Sequence, residues 1–83
     1  NFTIAPNPAR DYLQIRIDGT ERQTGTLLIT DVTGRTVFSA PADNRAAQLS
    51  IDIEVSGFSD GVYFVTFLQE DGLQRTRRFV KVR

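Results

Sequence analysis

The chain of 83 residues contains no cysteine and no histidine. Without cysteine, no disulfide can support the fold, and neither a cysteine-based metal site nor thiol chemistry is available. Without histidine, the sequence lacks the commonest general base and the commonest metal ligand. These two absences remove the side chains on which most catalytic and metal sites depend.

Long apolar segments and a targeting leader are also missing. No apolar run approaches the roughly 20 residues that a membrane-spanning helix needs, so we expect no membrane insertion. Residues 1–4 lack the basic and apolar regions of a signal peptide, and the chain has no initiator methionine. Its length is that of one domain. We therefore expect a single domain cut from a longer protein, whose own targeting signals lie upstream.

The net charge is zero, but the charges are unevenly distributed. The last ten residues carry no negative charge and five positive charges, which are those of Arg75, Arg77, Arg78, Lys81 and Arg83. This cluster indicates either a solvated strand face with a charged edge or a basic site for an acidic partner. Nucleic acid is not an expected partner, because the domain as a whole is not basic and has no RNA-binding aromatic motif.

Alternation of apolar and polar residues dominates the chain and predicts strands. The predicted strands cover residues 1–5, 12–18, 25–31, 35–40, 48–55, 61–69 and 74–82. Residues 26–30 and 62–68 are apolar on both faces, which is typical of central strands. Seven short strands separated by turn signals predict an all-β fold, a seven-stranded antiparallel β-sandwich that is immunoglobulin-like in outline. The longer connections are expected at residues 18–24 and 40–47.

Four turns have assignable chemistry. Pro6 and Pro8 end the first strand, and the Asn7 side chain is expected to bond its own backbone across the kink. The Asp31 carboxylate is expected to accept from amides two and three residues ahead, while Gly34 takes a positive φ. Residues 60–61 form a corner before the next strand, and residues 71–72 close the last hairpin.

No constellation of residues supports an enzyme. Asp52 and Glu54 lie on the same face of one strand. Two carboxylates at this spacing on an alternating strand usually form its solvent-exposed side and not a catalytic pair. The serines and threonines have no histidine partner, and neither a calcium loop nor a phosphate-binding loop is present. We expect Tyr63 to be a packed aromatic whose hydroxyl bonds a backbone acceptor. No catalytic residue, metal ligand or cofactor is predicted.

The order of several short motifs resembles the type A C-terminal sorting domain of the type IX secretion system, found in exported proteins of Bacteroidetes. The matching motifs are Pro6-Asn7-Pro8 after an apolar strand, Asp31 followed by Thr33-Gly34-Arg35, Gly61-Val62-Tyr63, and a basic, apolar end. That end comprises Arg77, Arg78, Phe79, Val80, Lys81, Val82 and Arg83. The resemblance covers essentially the whole chain. Two departures are Phe58 where a leucine is usual, and arginine at most of the terminal lysine positions.

The resemblance implies a secretion signal that directs its parent protein across the outer membrane. It would be folded in the periplasm and read by the outer-membrane translocon through residues 77–83. In many family members a sortase-like protease then removes the domain at the cell surface and joins the cargo to lipopolysaccharide. Pro6, Asn7, Pro8, Asp31, Gly34, Arg35, Gly61 and Tyr63 would be structural motif residues.

Another function remains open on the residues alone, an immunoglobulin-like accessory or binding module of an extracellular enzyme. A sugar-binding module usually presents an aromatic platform, whereas this chain has no tryptophan and two tyrosines. We also expect residues 74–82 to form an edge strand, held only by the hairpin at residues 70–73. Such an edge could be read by strand addition, and it predicts a monomer that forms a homodimer through this strand at high concentration.

Overall fold

Seven β-strands make up the secondary structure of the computed structural model, which describes residues 2–18, 23–44 and 48–83. The strands are β1 (Phe2–Ala5), β2 (Tyr12–Asp18), β3 (Gln23–Asp31), β4 (Thr36–Asn44), β5 (Gln48–Glu54), β6 (Gly61–Gln69) and β7 (Gln74–Lys81). Six of the seven agree with the predicted strands to within two residues at each end. The parts of the two predicted connections at residues 19–22 and 45–47 lie outside the described residues.

The strands form two antiparallel sheets, one with the order β1-β2-β5 and one with the order β4-β3-β6-β7. The smaller sheet has three strands and the larger sheet has four, and their apolar faces pack together as a sandwich. This arrangement confirms the predicted all-β sandwich and is immunoglobulin-like in outline. The two strands predicted to be central, β3 and β6, are the inner strands of the larger sheet.

The core consists of the inward-facing residues of both sheets. Alternate positions of β2, such as Leu13, Ile15 and Ile17, are fully buried, as the period of two predicts. The buried apolar residues are Phe2, Ala9, Leu13, Ile15, Ile17, Leu27, Ile29, Ala42, Ile53, Val55, Tyr63, Val65, Phe67 and Phe79. Because burial of apolar area is the dominant favourable term in folding, these side chains supply most of the stability of a domain this small.

The β4 strand is longer than predicted, because it continues through Pro41 to Asn44. The sequence prediction ended this strand at residue 40 and placed a loop at residues 40–47, which is wrong for residues 40–44. Pro41 pairs with Thr26 of β3. Proline is tolerated here because β4 is an edge strand of the larger sheet, so no neighbour on its outer side needs the missing amide.

Candidate functional site

Residues 77–83, the predicted recognition segment, contain the end of β7 and the two residues after it. We call them the terminal segment. Side chains of a strand alternate between the two faces of its sheet. Phe79 and Lys81 point into the sandwich and are buried, whereas Arg78 is exposed and Val80 partly exposed on the outer face. The terminal segment is therefore not one continuous surface, because two of its members lie inside the domain.

Residues 7–9, which we call the strap, lie along the outer edge of the terminal segment. The Asn7 side chain accepts from the Val80 amide at 3.0 Å and donates to the Arg78 carbonyl at 3.2 Å. Ala9 donates to the Val80 carbonyl at 2.8 Å and accepts from the Val82 amide at 2.9 Å. This pairing makes a parallel bridge between Ala9 and Lys81. The strap thus occupies the main-chain edge of the larger sheet from Arg78 to Val82.

The strap corrects two sequence predictions. Asn7 does not bond its own backbone across the kink, because its amide is used on residues of the last strand. The last strand is also not held by the hairpin alone. Both Ala5-Pro6 and Asn7-Pro8 are cis peptides. They lie where the chain leaves β1 of the smaller sheet and crosses to the edge of the larger sheet.

A second tie joins the two ends of the domain through Arg77. Its Nε donates to the carbonyl of Phe2 at 3.0 Å. Its guanidinium carbon lies 5.9 Å from the centroid of the Phe2 ring, within the range of a cation–π contact. Phe2 itself is buried in the core. Arg77 therefore stabilises the position of β1 beside β7, a structural role that the basic composition of the segment did not reveal.

The structure does not bring the five terminal cations together as one basic patch. Lys81 is buried, and its Nζ donates to the Val82 carbonyl at 3.0 Å. Arg83 forms an ion pair with Asp60, with 3.5 Å between Nε and Oδ2, and both side chains are exposed. Exposed pairs of this kind contribute little to stability. Of these cations, Arg78 alone projects from the outer face of the larger sheet.

Tyr63 is the third residue of β6 and has the predicted role. The corner that precedes it ends at Gly61, the first residue of β6, whose φ is 150°. The Tyr63 hydroxyl donates to the Ser59 carbonyl at 2.7 Å, which is the arrangement of a tyrosine corner in immunoglobulin-like domains. The Tyr63 ring stacks on Phe79 at 5.4 Å between centroids and tilts against Phe58 at 5.2 Å. Tyr63 thus connects this corner to the buried ring of the last strand.

The turn between β3 and β4 is organised by the Asp31 carboxylate. Its Oδ1 accepts from the Thr33 hydroxyl at 2.6 Å, the Thr33 amide at 2.9 Å and the Arg35 amide at 3.0 Å. Its Oδ2 lies 3.2 Å from Nε of Arg35. The hydrogen bond from the Thr33 hydroxyl, followed by those from the amides, holds the pKa of Asp31 below its ordinary value.

One detail of this turn differs from the sequence prediction. The carboxylate bonds the amides two and four residues ahead, whereas the third amide, that of Gly34, donates to the Asp31 carbonyl at 3.0 Å. Gly34 has a φ of 88°, as predicted. The hairpin between β6 and β7 has the same main-chain pattern, with the Gly72 amide donating to the Gln69 carbonyl at 3.0 Å.

Gly34→Val is expected to lower the free energy of unfolding by about 1–3 kcal/mol, because a β-branched residue resists the left-handed conformation. Open space surrounds Gly34, so the loss would come from backbone strain and not from a clash. Gly57→Val is the matched control, because Gly57 also lies in open space and its φ lies outside the left-handed region. Denaturant midpoints of the three proteins decide the outcome. Equal midpoints for wild type and Gly34→Val would contradict the claim that valine strains the backbone at this position.

Within the described residues, the structure offers no arrangement that could hold a metal ion. It also contains no helix that is long and apolar enough to cross a membrane in that part of the chain. A cavity of about 610 Å³ opens where β3, β4 and β6 meet, lined by Gly25, Pro41, Asp43 and Leu68, among others. Its lining includes one contact between a hydroxyl and a carboxylate, from Thr24 to Asp43 at 3.4 Å, and no cluster of metal ligands among the described residues.

Sequence reasoning missed the residues that act across the whole length of the chain. Asn7 bonds partners more than 70 residues away, and Ala9 and Phe2 make similarly distant contacts. A local pattern carries no signal for such pairs. A family model described as "Secretion system C-terminal sorting domain" matches residues 3–82. A search of curated proteins found no match.

Proposed function

We propose how this domain is read, starting from the fact that the chain belongs to the family of secretion system C-terminal sorting domains. Domains of this family are sorting signals for type IX secretion, and this chain is one. Its parent protein is therefore exported to the cell surface or the extracellular space. The family match over residues 3–82 is the observation that carries this conclusion. It leaves no support for the alternative, an accessory module of an extracellular enzyme.

We further propose that the domain folds in the periplasm, is bound there by the outer-membrane translocon, and serves as a substrate of a sortase-like protease at the surface. It acts by being bound, so we propose no catalytic activity of its own. The proposal that the translocon recognises the terminal segment is supported by how this segment is held. The strap, Arg77 and the buried Phe79 fix it to the folded domain, so it presents a defined surface.

Removing residues 80–83 from the parent protein is expected to trap it in the periplasm. The deletion removes the basic, apolar end of the chain, and with it the partners of Ala9. Cell fractionation, with the surface and periplasmic amounts of the parent compared, is the measurement. A shorter deletion of residues 82–83 leaves all of β7 in place and should also reduce export.

Leu73→Ser provides the control for these deletions, since Leu73 is 63% exposed and lies at the far end of the last hairpin. This variant should reach the surface as wild type does. Thermal melting of the isolated domains separates misfolding from loss of the signal. Normal surface display of both truncated parents would contradict the proposal that the terminal segment is read.

We also propose that the domain forms a weak homodimer through the last strand at high concentration. The strap covers the edge from Arg78 onwards, so pairing between two copies has the edge at residues 74–77 available. A short free edge favours a small dimer fraction. Light scattering across a concentration series, with and without residues 74–83, is the test. A strictly monomeric full-length domain would contradict it, as would a dimer that persists in a folded truncated form.

A further inference from the structure

The outer faces of the two sheets differ in chemistry. The smaller sheet presents charged and polar groups, including Arg16, Asp52 and Glu54. The larger sheet presents an apolar strip, which we call the large-sheet face: Leu28, Pro41, Val62, Phe64, Leu68 and Val80. All six are at least partly exposed, and Leu68 is 39% exposed. Threonine, serine and glutamine fill most of the positions between them.

One charged side chain stands on this face within the four rows of residues that contain the strip. Arg78 lies beside Phe64, which in turn pairs with Thr30 of β3. No described carboxylate lies within ion-pair distance of Arg78. Asp43 stands one row beyond the strip, at the opposite end of the sheet from Arg78. An exposed apolar strip with one cation that no described carboxylate neutralises is typical of an interaction surface.

The edge of β7 is a poorer candidate for recognition than this face. The strap already bonds the outer main-chain groups of Arg78, Val80 and Val82. A partner strand could add there only after displacing these bonds. The side chains of Arg78 and Val80 are not covered by the strap and belong to the large-sheet face. The side chains of Arg78 and Val80 are therefore reached through the face of the sheet.

We infer that the large-sheet face is the surface through which the domain is recognised. Its occupant is a protein of the export machinery with an apolar patch and a carboxylate placed opposite Arg78. Charge complementarity favours this occupant, because Arg78 has no acidic partner among the described residues of the domain. The inference rests on the proposed function and names the surface that performs it.

The test uses the full parent protein in a cell with a working export system. Phe64→Thr keeps a residue suited to strands and removes the largest apolar group of the face. Arg78→Glu reverses the charge, and Arg78→Lys retains it. Phe64→Thr and Arg78→Glu are each expected to reduce the fraction of the parent protein at the surface about tenfold, as loss of a central interface group does. Arg78→Lys should restore most of the export that Arg78→Glu loses.

Arg16→Glu is the matched control, because Arg16 is exposed on the outer face of the smaller sheet. It makes the same charge reversal on the other side of the domain and should export as wild type does. Thermal melting of each isolated domain verifies the fold. The inference about the large-sheet face would be overturned if the Phe64→Thr and Arg78→Glu variants were exported at wild-type levels while the parent lacking residues 80–83 stayed in the periplasm. That result would leave the sorting function intact.

Two further results would assign the face to another occupant and so overturn the inference. In the first, Arg78→Glu abolishes a dimer of the wild-type domain in light scattering, while export is unchanged. In the second, Phe64→Thr lowers the melting temperature of the whole parent but not that of the isolated domain. The second result would mean that the face packs against a neighbouring domain of the parent. Export of the deleted parent at wild-type levels would instead contradict the proposal that the terminal segment is recognised.

Discussion

Phe79→Ala is expected to lower the free energy of unfolding by about 3–5 kcal/mol, the usual cost of truncating a buried phenylalanine. Phe79 is fully buried, and its ring stacks on Tyr63 at 5.4 Å between centroids. The substitution would leave a cavity beside the tyrosine corner and loosen the strand that carries the terminal segment. A domain of 83 residues has a total stability of about 4–12 kcal/mol, so much of it would be lost.

Denaturant unfolding of the isolated domain measures this effect. Leu73→Ala is the control, because Leu73 is exposed and its truncation should change stability by less than about 0.5 kcal/mol. We also expect the parent protein with Phe79→Ala to be exported poorly, since its sorting domain would be unstable. A loss of less than about 1 kcal/mol would contradict the assignment of Phe79 to the core.

Gly25→Ala is expected to cost about 3 kcal/mol, at the upper end of what overpacking usually costs. Gly25 lies on β3, where the chain passes close to β6. A methyl group there would overlap the Leu68 carbonyl oxygen and approach the Cα of Gln69 to 2.9 Å. Both obstacles are main-chain atoms of a central strand, so neither can rotate away, and the two strands would have to separate.

Gly57→Ala is the matched control for this substitution, because no atom beyond Gly57 and its two chain neighbours lies within 4 Å of a methyl group placed there. Alanine there should be neutral or slightly stabilising, since it reduces the freedom of the unfolded chain. Unfolding midpoints of the two alanine variants and wild type are compared. Equal midpoints for Gly25→Ala and Gly57→Ala would show that the close approach of β3 and β6 is not as described.

The strands were predictable because each has one buried and one exposed face. Leu13, Ile15 and Ile17 alternate with polar residues in the sequence and are the buried residues of β2 in the structure. The end of β4 was not predictable in this way. Pro41 is a strong signal for the end of a strand, and only its position at a sheet edge makes it acceptable there.

The geometry around the terminal segment was less predictable than the strands. Tyr63 was expected to find a backbone acceptor, and its hydroxyl bonds a carbonyl four residues away. The partners of Asn7, by contrast, lie more than 70 residues away, and no local rule connects them. The burial of Lys81 was also not predictable from the sequence, since lysine is almost never found inside a small domain. The order of the motifs did identify the family.

The most direct test of the sorting function is to attach this domain to an unrelated protein and measure whether that protein is exported. Residues 1–83 are fused to the end of a stable periplasmic reporter in a bacterium with a type IX secretion system, and the reporter is measured in each cell fraction. We expect the reporter to appear at the cell surface or in the medium, and to stay in the periplasm of a strain without a working translocon. A reporter that remains in the periplasm of both strains, with the fused domain folded, would contradict the sorting function.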